Sequence, residues 1–207
     1  MKNIFYLIAV SLSLFACRPD EETPVIGTPY TLLIPEGLPN MQIPSSNQMT
    51  VEGVALGKKL FFDPVLSGNN SQSCASCHIQ SYGFTDPNQF STGIDGIQGT
   101  RNAMPLINLG WQTKFFWDGG ANGLESQVIG PITNPIEMHE DIANAIAELY
   151  GNADYPPMFK AAFGSEDITS QNIMRAIAQF ERTLISGNSK YDKYVRGEIQ
   201  FTQQEID

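Results

Sequence analysis

The sequence predicts an all-α domain with long loops, and three observations carry that prediction. Apolar residues recur at helical spacing in several stretches, strand-like alternation is scarce, and no internal repeat is present. The chain has 207 residues, of which the first 16 read as a leader, so roughly 190 remain for one ordinary domain or two very small ones.

Taken in order, residues 1–16 hold one early cation, Lys2, then apolar runs over 4–10 and 12–16. These runs are too short to span a bilayer as a mature helix, and the pattern is that of an export signal. Leu14-Phe15-Ala16-Cys17 is similar to a bacterial lipobox, with a small residue before the cysteine, although Phe15 is bulkier than usual there. Processing at that point leaves Cys17 as a lipidated N-terminus and the protein as a membrane-anchored lipoprotein of the periplasm. Ordinary signal-peptidase cleavage nearby, with Cys17 incidental, is the alternative. Residues 17–49 carry six prolines (Pro19, Pro24, Pro29, Pro35, Pro39, Pro44) and the acidic Asp20-Glu21-Glu22, a composition that predicts a tether followed by an extended arm.

From residue 50 the pattern turns helical. Val51, Val54, Ala55 and Leu60 recur at near-helical spacing, with Thr50 as a cap and Asp63-Pro64 as a stop, which predicts a helix over 50–62. The stretch 81–120 contains seven glycines and two prolines and reads as a long folded loop, of the kind that is usually functional inside a compact domain. A short helix is predicted over 124–129. Another spans 141–150, with Ile142, Ala145, Ile146 and Leu149 on one face. The last covers 169–185, with the stripe Ile173, Ile177, Phe180 and Leu184, a cap at Thr169 or Ser170 and an end at Gly187.

Between the first helix and the long loop lies Cys74-Ala75-Ser76-Cys77-His78, a C-x-x-C-H run in a chain with only three cysteines and two histidines. Two thiols three positions apart on one helical turn can form thioethers to the two vinyl groups of a haem, and the adjacent imidazole then falls under the iron as its proximal ligand. A zinc site would want a second cysteine or histidine pair, which is absent, and a disulfide would leave His78 unexplained. The run therefore reads as a covalent haem c site made by Cys74, Cys77 and His78. The formal net charge of −10 argues against nucleic acid and anionic membrane surfaces as partners, and is compatible with a basic soluble electron-donor protein docking by charge.

Several further runs carry a resemblance: Leu56-Gly57-Lys58-Lys59-Leu60-Phe61-Phe62-Asp63-Pro64, Arg101-Asn102, Phe116-Trp117-Asp118-Gly119, Gly130-Pro131-Ile132-Thr133-Asn134-Pro135-Ile136-Glu137-Met138 and Gln179-Phe180-Glu181-Arg182-Thr183-Leu184-Ile185-Ser186-Gly187. With the haem motif among them, in order and with matching spacings, the chain resembles the N-terminal half of the bacterial di-haem cytochrome c peroxidase and MauG family. The resemblance implies a cytochrome c-like haem domain over 50–187, whose haem is the one at which hydrogen peroxide reacts. Residues 188–207 then begin the connection to a second haem domain, which is expected beyond Asp207.

Peroxide cleavage at a haem needs an open iron face, a base that takes a proton from the near oxygen and returns it to the leaving oxygen, and a dipole that holds the ligand. The resemblance assigns the acid–base role to Glu137 and a pocket-lining role to Gln127, although on composition alone each reads as a solvated surface residue. It places Trp117 where the family has a tryptophan between its two haems, an indole able to relay an electron; the residues alone read it as core. Asn102 matches a contributor to a calcium site, but calcium wants about six to eight oxygens and the family's other ligands come from the second domain.

One departure stands out. Where some family members carry a second, switchable histidine ligand, this chain has Ile94, which cannot ligate iron. The distal face is then open without reductive activation, as in the MauG-like branch, unless His139 or Met104 reaches it. His139 reads as solvated, and Met138 as packing near the pocket. Three functions follow as expectations. The first is a peroxidase fed by a small c-type cytochrome or cupredoxin. The second is MauG-like oxidation of a protein side chain, and the third a non-enzymatic one-haem electron carrier. The sequence leaves a homodimer open.

Overall fold

The computed structural model describes residues 26–206. The predicted leader and Cys17 lie outside the described residues. Among those described, eight helices are joined by long loops, extended pairing is confined to four isolated antiparallel bridges, and no helix is long and apolar enough to cross a membrane.

Helix α1, Val51–Phe62, starts where expected because the Thr50 hydroxyl accepts from the Gly53 amide at 3.0 Å. It ends at Asp63, whose amide closes the last turn on the Lys59 carbonyl and whose carboxylate accepts from the Val65 amide and the Tyr155 hydroxyl. Its buried face differs from the predicted one. Leu60 is inside, but Val51 and Ala55 are exposed, and Gly53, Leu56, Gly57 and Phe61 complete the buried side. Close approach of helix α6, Ser170–Arg182, decides this: a Cβ at Gly57 would overlap the Ala176 carbonyl, and one at Gly53 the Gln179 side chain. Two glycines thus let α1 approach α6 closely, with Gly57 against the backbone and Gly53 against a side chain.

The haem-motif helix α2, Cys74–Cys77, is a single turn. Helix α3, Leu124–Thr133, runs beyond the predicted 124–129: Pro131 withholds one amide, yet the Asn134 amide still bonds the Gly130 carbonyl at 3.0 Å and completes another turn. Helix α4, Ile142–Gly151, is capped by the Asp141 carboxylate and packs by the predicted stripe. Helix α5, Tyr155–Phe163, is not among the predicted elements. Its signals are a proline pair in the first turn and Gly164, left-handed at φ 80°, as the stop, with Tyr155, Phe159 and Ala162 buried between them. Helix α6 has the predicted Thr169 cap and buried stripe but stops at Arg182, well before Gly187, with Leu184 packed beneath the following turn. In the stretch predicted as a connection, α7, Lys190–Val195, and α8, Gln203–Ile206, are bridged by Phe201, which stacks on Tyr194 at 4.2 Å.

The arm forms no long regular element, as its prolines require, and is tied to the domain along its length: the Val51 amide bonds the Thr28 carbonyl at 2.8 Å, the Tyr30 amide the Met49 carbonyl at 3.0 Å and the Trp111 indole the Pro39 carbonyl at 2.9 Å. Buried Asn47 donates to Glu125 of α3 at 2.7 Å and to the Arg175 carbonyl at 3.1 Å, and accepts from Gln179 at 2.9 Å; Glu125 in turn pairs with Arg182 of α6 at 2.8 Å. Glu125→Ala strands the Arg182 guanidinium away from water and is expected to lower the unfolding free energy by about 2 kcal/mol, read from the denaturant midpoint.

Candidate functional site

The long loop 81–120, α2, α3 and the 134–140 segment enclose a cavity of about 550 Å³, inside the range of roughly 300–1,000 Å³ usual for small-molecule sites. Cys74, Cys77 and His78 line it, together with Asn102, Trp117, Gln127 and Glu137. Every site residue predicted from the sequence is thereby brought to one cavity, from four separate parts of the chain.

The motif is presented by local chemistry. The Ser73 amide bonds the Ser76 hydroxyl at 3.0 Å and the His78 amide bonds the Cys74 carbonyl at 2.9 Å, so one turn holds both thiols on one side. His78 Nδ1 pairs with the Phe84 carbonyl at 3.0 Å, and the ring also lies within hydrogen-bond reach of the Met104 backbone. Burial lowers the imidazole's pKa against the backbone bonds to Phe84 and Met104 and the Asp86 charge, favouring the neutral ring that a metal ligand must be. The Cys74 thiol is pushed up to about 12 by desolvation, with the Glu181 carboxyl adding to it, and Cys77 is raised by desolvation as well. Asp86 stands behind the motif. Burial raises its pKa, but the Ser91 hydroxyl at 2.7 Å and the Asn88 amide at 2.8 Å outweigh burial and keep it ionised.

Glu137 sits at the cavity rim on a clamped backbone. Its carbonyl accepts from Ile94 at 3.0 Å, the next carbonyl accepts from Gly68 at 2.9 Å, and a Cβ at Gly93 would overlap the carbonyls of Ile136 and Glu137. Asn134 Nδ2 donates to Glu137 Oε1 at 2.8 Å. Desolvation lifts the carboxyl above its ordinary range, and the Asn134 bond opposes that lift. Gln127 lies on the wall with its Oε1 buried and unpartnered. Trp117 is 60% exposed, which sets aside the core reading, and its indole donates to the Asn102 carbonyl at 2.9 Å. The Asn102 amide braces the loop through the Asp86 and Asn88 carbonyls.

Residues 51–200 match the family model described as di-haem cytochrome c peroxidase. The chain belongs to that family. As a di-haem peroxidase-family chain it is 42% identical over 165 residues to the methylamine utilization protein MauG of Methylorubrum extorquens, covering 79% of this chain and 46% of that one. It is also 42% identical over 153 residues to the cytochrome c551 peroxidase of Nitrosomonas europaea, covering 72% and 45%. Among solved structures, a MauG-like protein associated with microbial copper homeostasis superposes with a TM-score of 0.80 at 37% identity, covering 86% of this chain and 53% of the other. The chain spans just under half the length of these curated relatives.

The residues of this family member fit a haem. Two thiols and a neutral imidazole share one end of a cavity of suitable size, whose wall carries the unpartnered Gln127 oxygen. His139 is not a rival ligand, because its Nδ1 is paired with Asp95 at 2.5 Å outside the cavity, while Met104 and Met138 line it. Sequence reasoning missed Asn134, Asp86 and Glu181. For Asn134 a signal existed, since it stands three residues before Glu137; buried Glu181 has no signal beside a polar neighbour.

Proposed function

We propose that this chain is the peroxide-reacting half of a di-haem peroxidase, carrying one covalently attached haem and reducing hydrogen peroxide with electrons from a small c-type cytochrome or cupredoxin. One observation carries the reading: the attachment thiols, a neutral imidazole, a clamped carboxyl and an unpartnered amide oxygen share one cavity. Haem, when bound, supplies an iron centre that accepts electrons and delivers two of them to peroxide. Cys74 and Cys77 would hold its edge as thioethers and His78 Nε2 its iron.

Glu137, as carboxylate, takes the proton from the peroxide oxygen nearer the metal and returns it to the leaving oxygen, so that water departs rather than hydroxide. Gln127 orients the peroxide through its amide, and Trp117 at the mouth offers an aromatic path for electrons. The balance is one peroxide, two electrons and two protons to two waters. Calcium at Asn102 would need ligands besides the side-chain oxygen, which accepts only a 3.3 Å bond from Thr85. The leader and Cys17 support a periplasmic, lipid-anchored site of action, with the stretch that follows Cys17 as spacer.

A second reading, oxidation of a protein side chain, is favoured by Ile94 at the position of the switchable histidine and by the similarity to MauG. Product analysis with a candidate protein substrate separates the two. The haem assignment is tested by a pyridine haemochrome spectrum of the chain expressed with a cytochrome c maturation system. One haem per chain is expected, lost from the covalent fraction in Cys74→Ala/Cys77→Ala; a colourless wild-type chain removes the proposal. Asn134→Ala removes the donor that lowers the Glu137 pKa. The acid limb of the peroxide rate, set by loss of the Glu137 proton, is therefore expected to move to higher pH, as followed by stopped-flow across pH.

A further inference from the structure

A second carboxyl lies on the wall of the same cavity and has no part in the peroxide chemistry. Glu181, in the last turn of α6, is 4% exposed, and its Oε2 is buried without a hydrogen-bond partner. Arg182 follows it, but that guanidinium is turned to Glu125, and its own Nη1 is buried and unpartnered. A carboxyl so placed is held as the neutral acid unless a charge nearby changes. The groups acting on it are Arg182, which favours the carboxylate, and Glu125 of α3, which disfavours it; desolvation outweighs both and lifts the group to about 8. From α2 the Cys74 thiol faces it. Of the ionisable side chains of α1 and α5, Glu52 is engaged with Thr28, Lys59 with Asp154, Tyr155 with Asp63 and Lys160 with Glu166, and Lys58 is exposed.

We propose that Glu181 is a proton-binding site coupled to the charge of the haem iron, taking one proton from solvent when the iron gains one electron and releasing it when that electron leaves. The inference rests on the haem reading above. One added negative charge in a cavity shielded from water raises the proton affinity of a carboxyl on its wall, and by reciprocity the bound proton raises the affinity for the electron by the same factor. The peroxide reaction consumes one proton per electron, so a group that gathers both together keeps the buried site near constant charge.

The haem-loaded chain, its haem content established by pyridine haemochrome, is titrated potentiometrically across a series of pH values. The midpoint is expected to fall as pH rises, by up to about 59 mV for each tenfold fall in proton activity for a one-electron couple. In Glu181→Gln the slope is expected to flatten at unchanged haem content, while Glu181→Asp retains a slope with a displaced breakpoint. A slope equal to wild type in Glu181→Gln overturns the proposal, since haem propionates then account for it. Should Glu181→Gln fail to load haem, a Glu181→Asp titration superimposable on wild type overturns it, as does a wild-type potential that does not move with pH. A chain without haem defeats the haem reading itself, and is distinguished by the haemochrome alone.

Discussion

Glu137→Gln is expected to lower the rate of peroxide reduction proposed for the haem-loaded protein under a reduced donor by about 10²–10⁴-fold, the range for loss of a positioned acid–base group. The substitution is chosen for what it keeps. Glutamine has the same length, and its carbonyl oxygen can accept the Asn134 bond that Glu137 Oε1 accepts at 2.8 Å. The backbone clamp from Ile94, Gly68 and Gly93 does not involve the side chain. Haem content and the proximal side are therefore expected to be unchanged, and only the proton transfer is lost. Stopped-flow mixing with peroxide reads the step directly, and a rate equal to wild type would remove Glu137 from the mechanism.

The largest effect on stability is expected at Gly57. Its Cβ position is already filled by the Ala176 carbonyl of α6, and this neighbour is backbone, so no rotamer change can relieve the clash. Gly57→Ala must separate α1 from α6, opening the packing of Leu56, Leu60 and Phe61 against Ile173, Ile177 and Phe180. Overpacking a core costs about 1–3 kcal/mol where side chains can adjust, and the rigid partner here puts the expected loss at about 3 kcal/mol or more. That is a large share of the roughly 5–15 kcal/mol by which a domain is stable. The opposite effect of an alanine in an exposed helix, a gain of up to about 1 kcal/mol, would show that the two backbones are not in contact. Equilibrium denaturation of the purified chain distinguishes the signs. Because α1 leads into the haem motif, haem incorporation is expected to fall with stability.

Local signals account for the elements that were legible in the sequence. Thr50 and Thr169 cap their helices through side-chain oxygens that accept from the amide three residues on, and such caps depend on nothing distant. The stripe of α6 is legible through Ile173, Ile177 and Phe180, which share one buried face, whereas Leu184 falls beyond the helix end. The face of α1 is misread because glycines carry no apolar signal, and their value exists only where another backbone comes close. Helix α5 escaped because a proline pair reads as a break until its placement in the first turn, where its missing amides are not needed, is seen.

The sequence by itself determined that two thiols and an imidazole lie within about one turn of helix at 74–78, because their relative geometry is set by local backbone alone. Likeness of the longer runs to the family then pointed to Glu137 and Gln127. Only the tertiary structure decided that these side chains share one cavity with Glu181, that Trp117 is exposed at its mouth, and that His139 is held outside by Asp95. The physical reason is distance along the chain: the walls of the cavity that bury and desolvate these groups are drawn from segments scores of residues apart, and periodicity and spacing carry no record of how those segments meet.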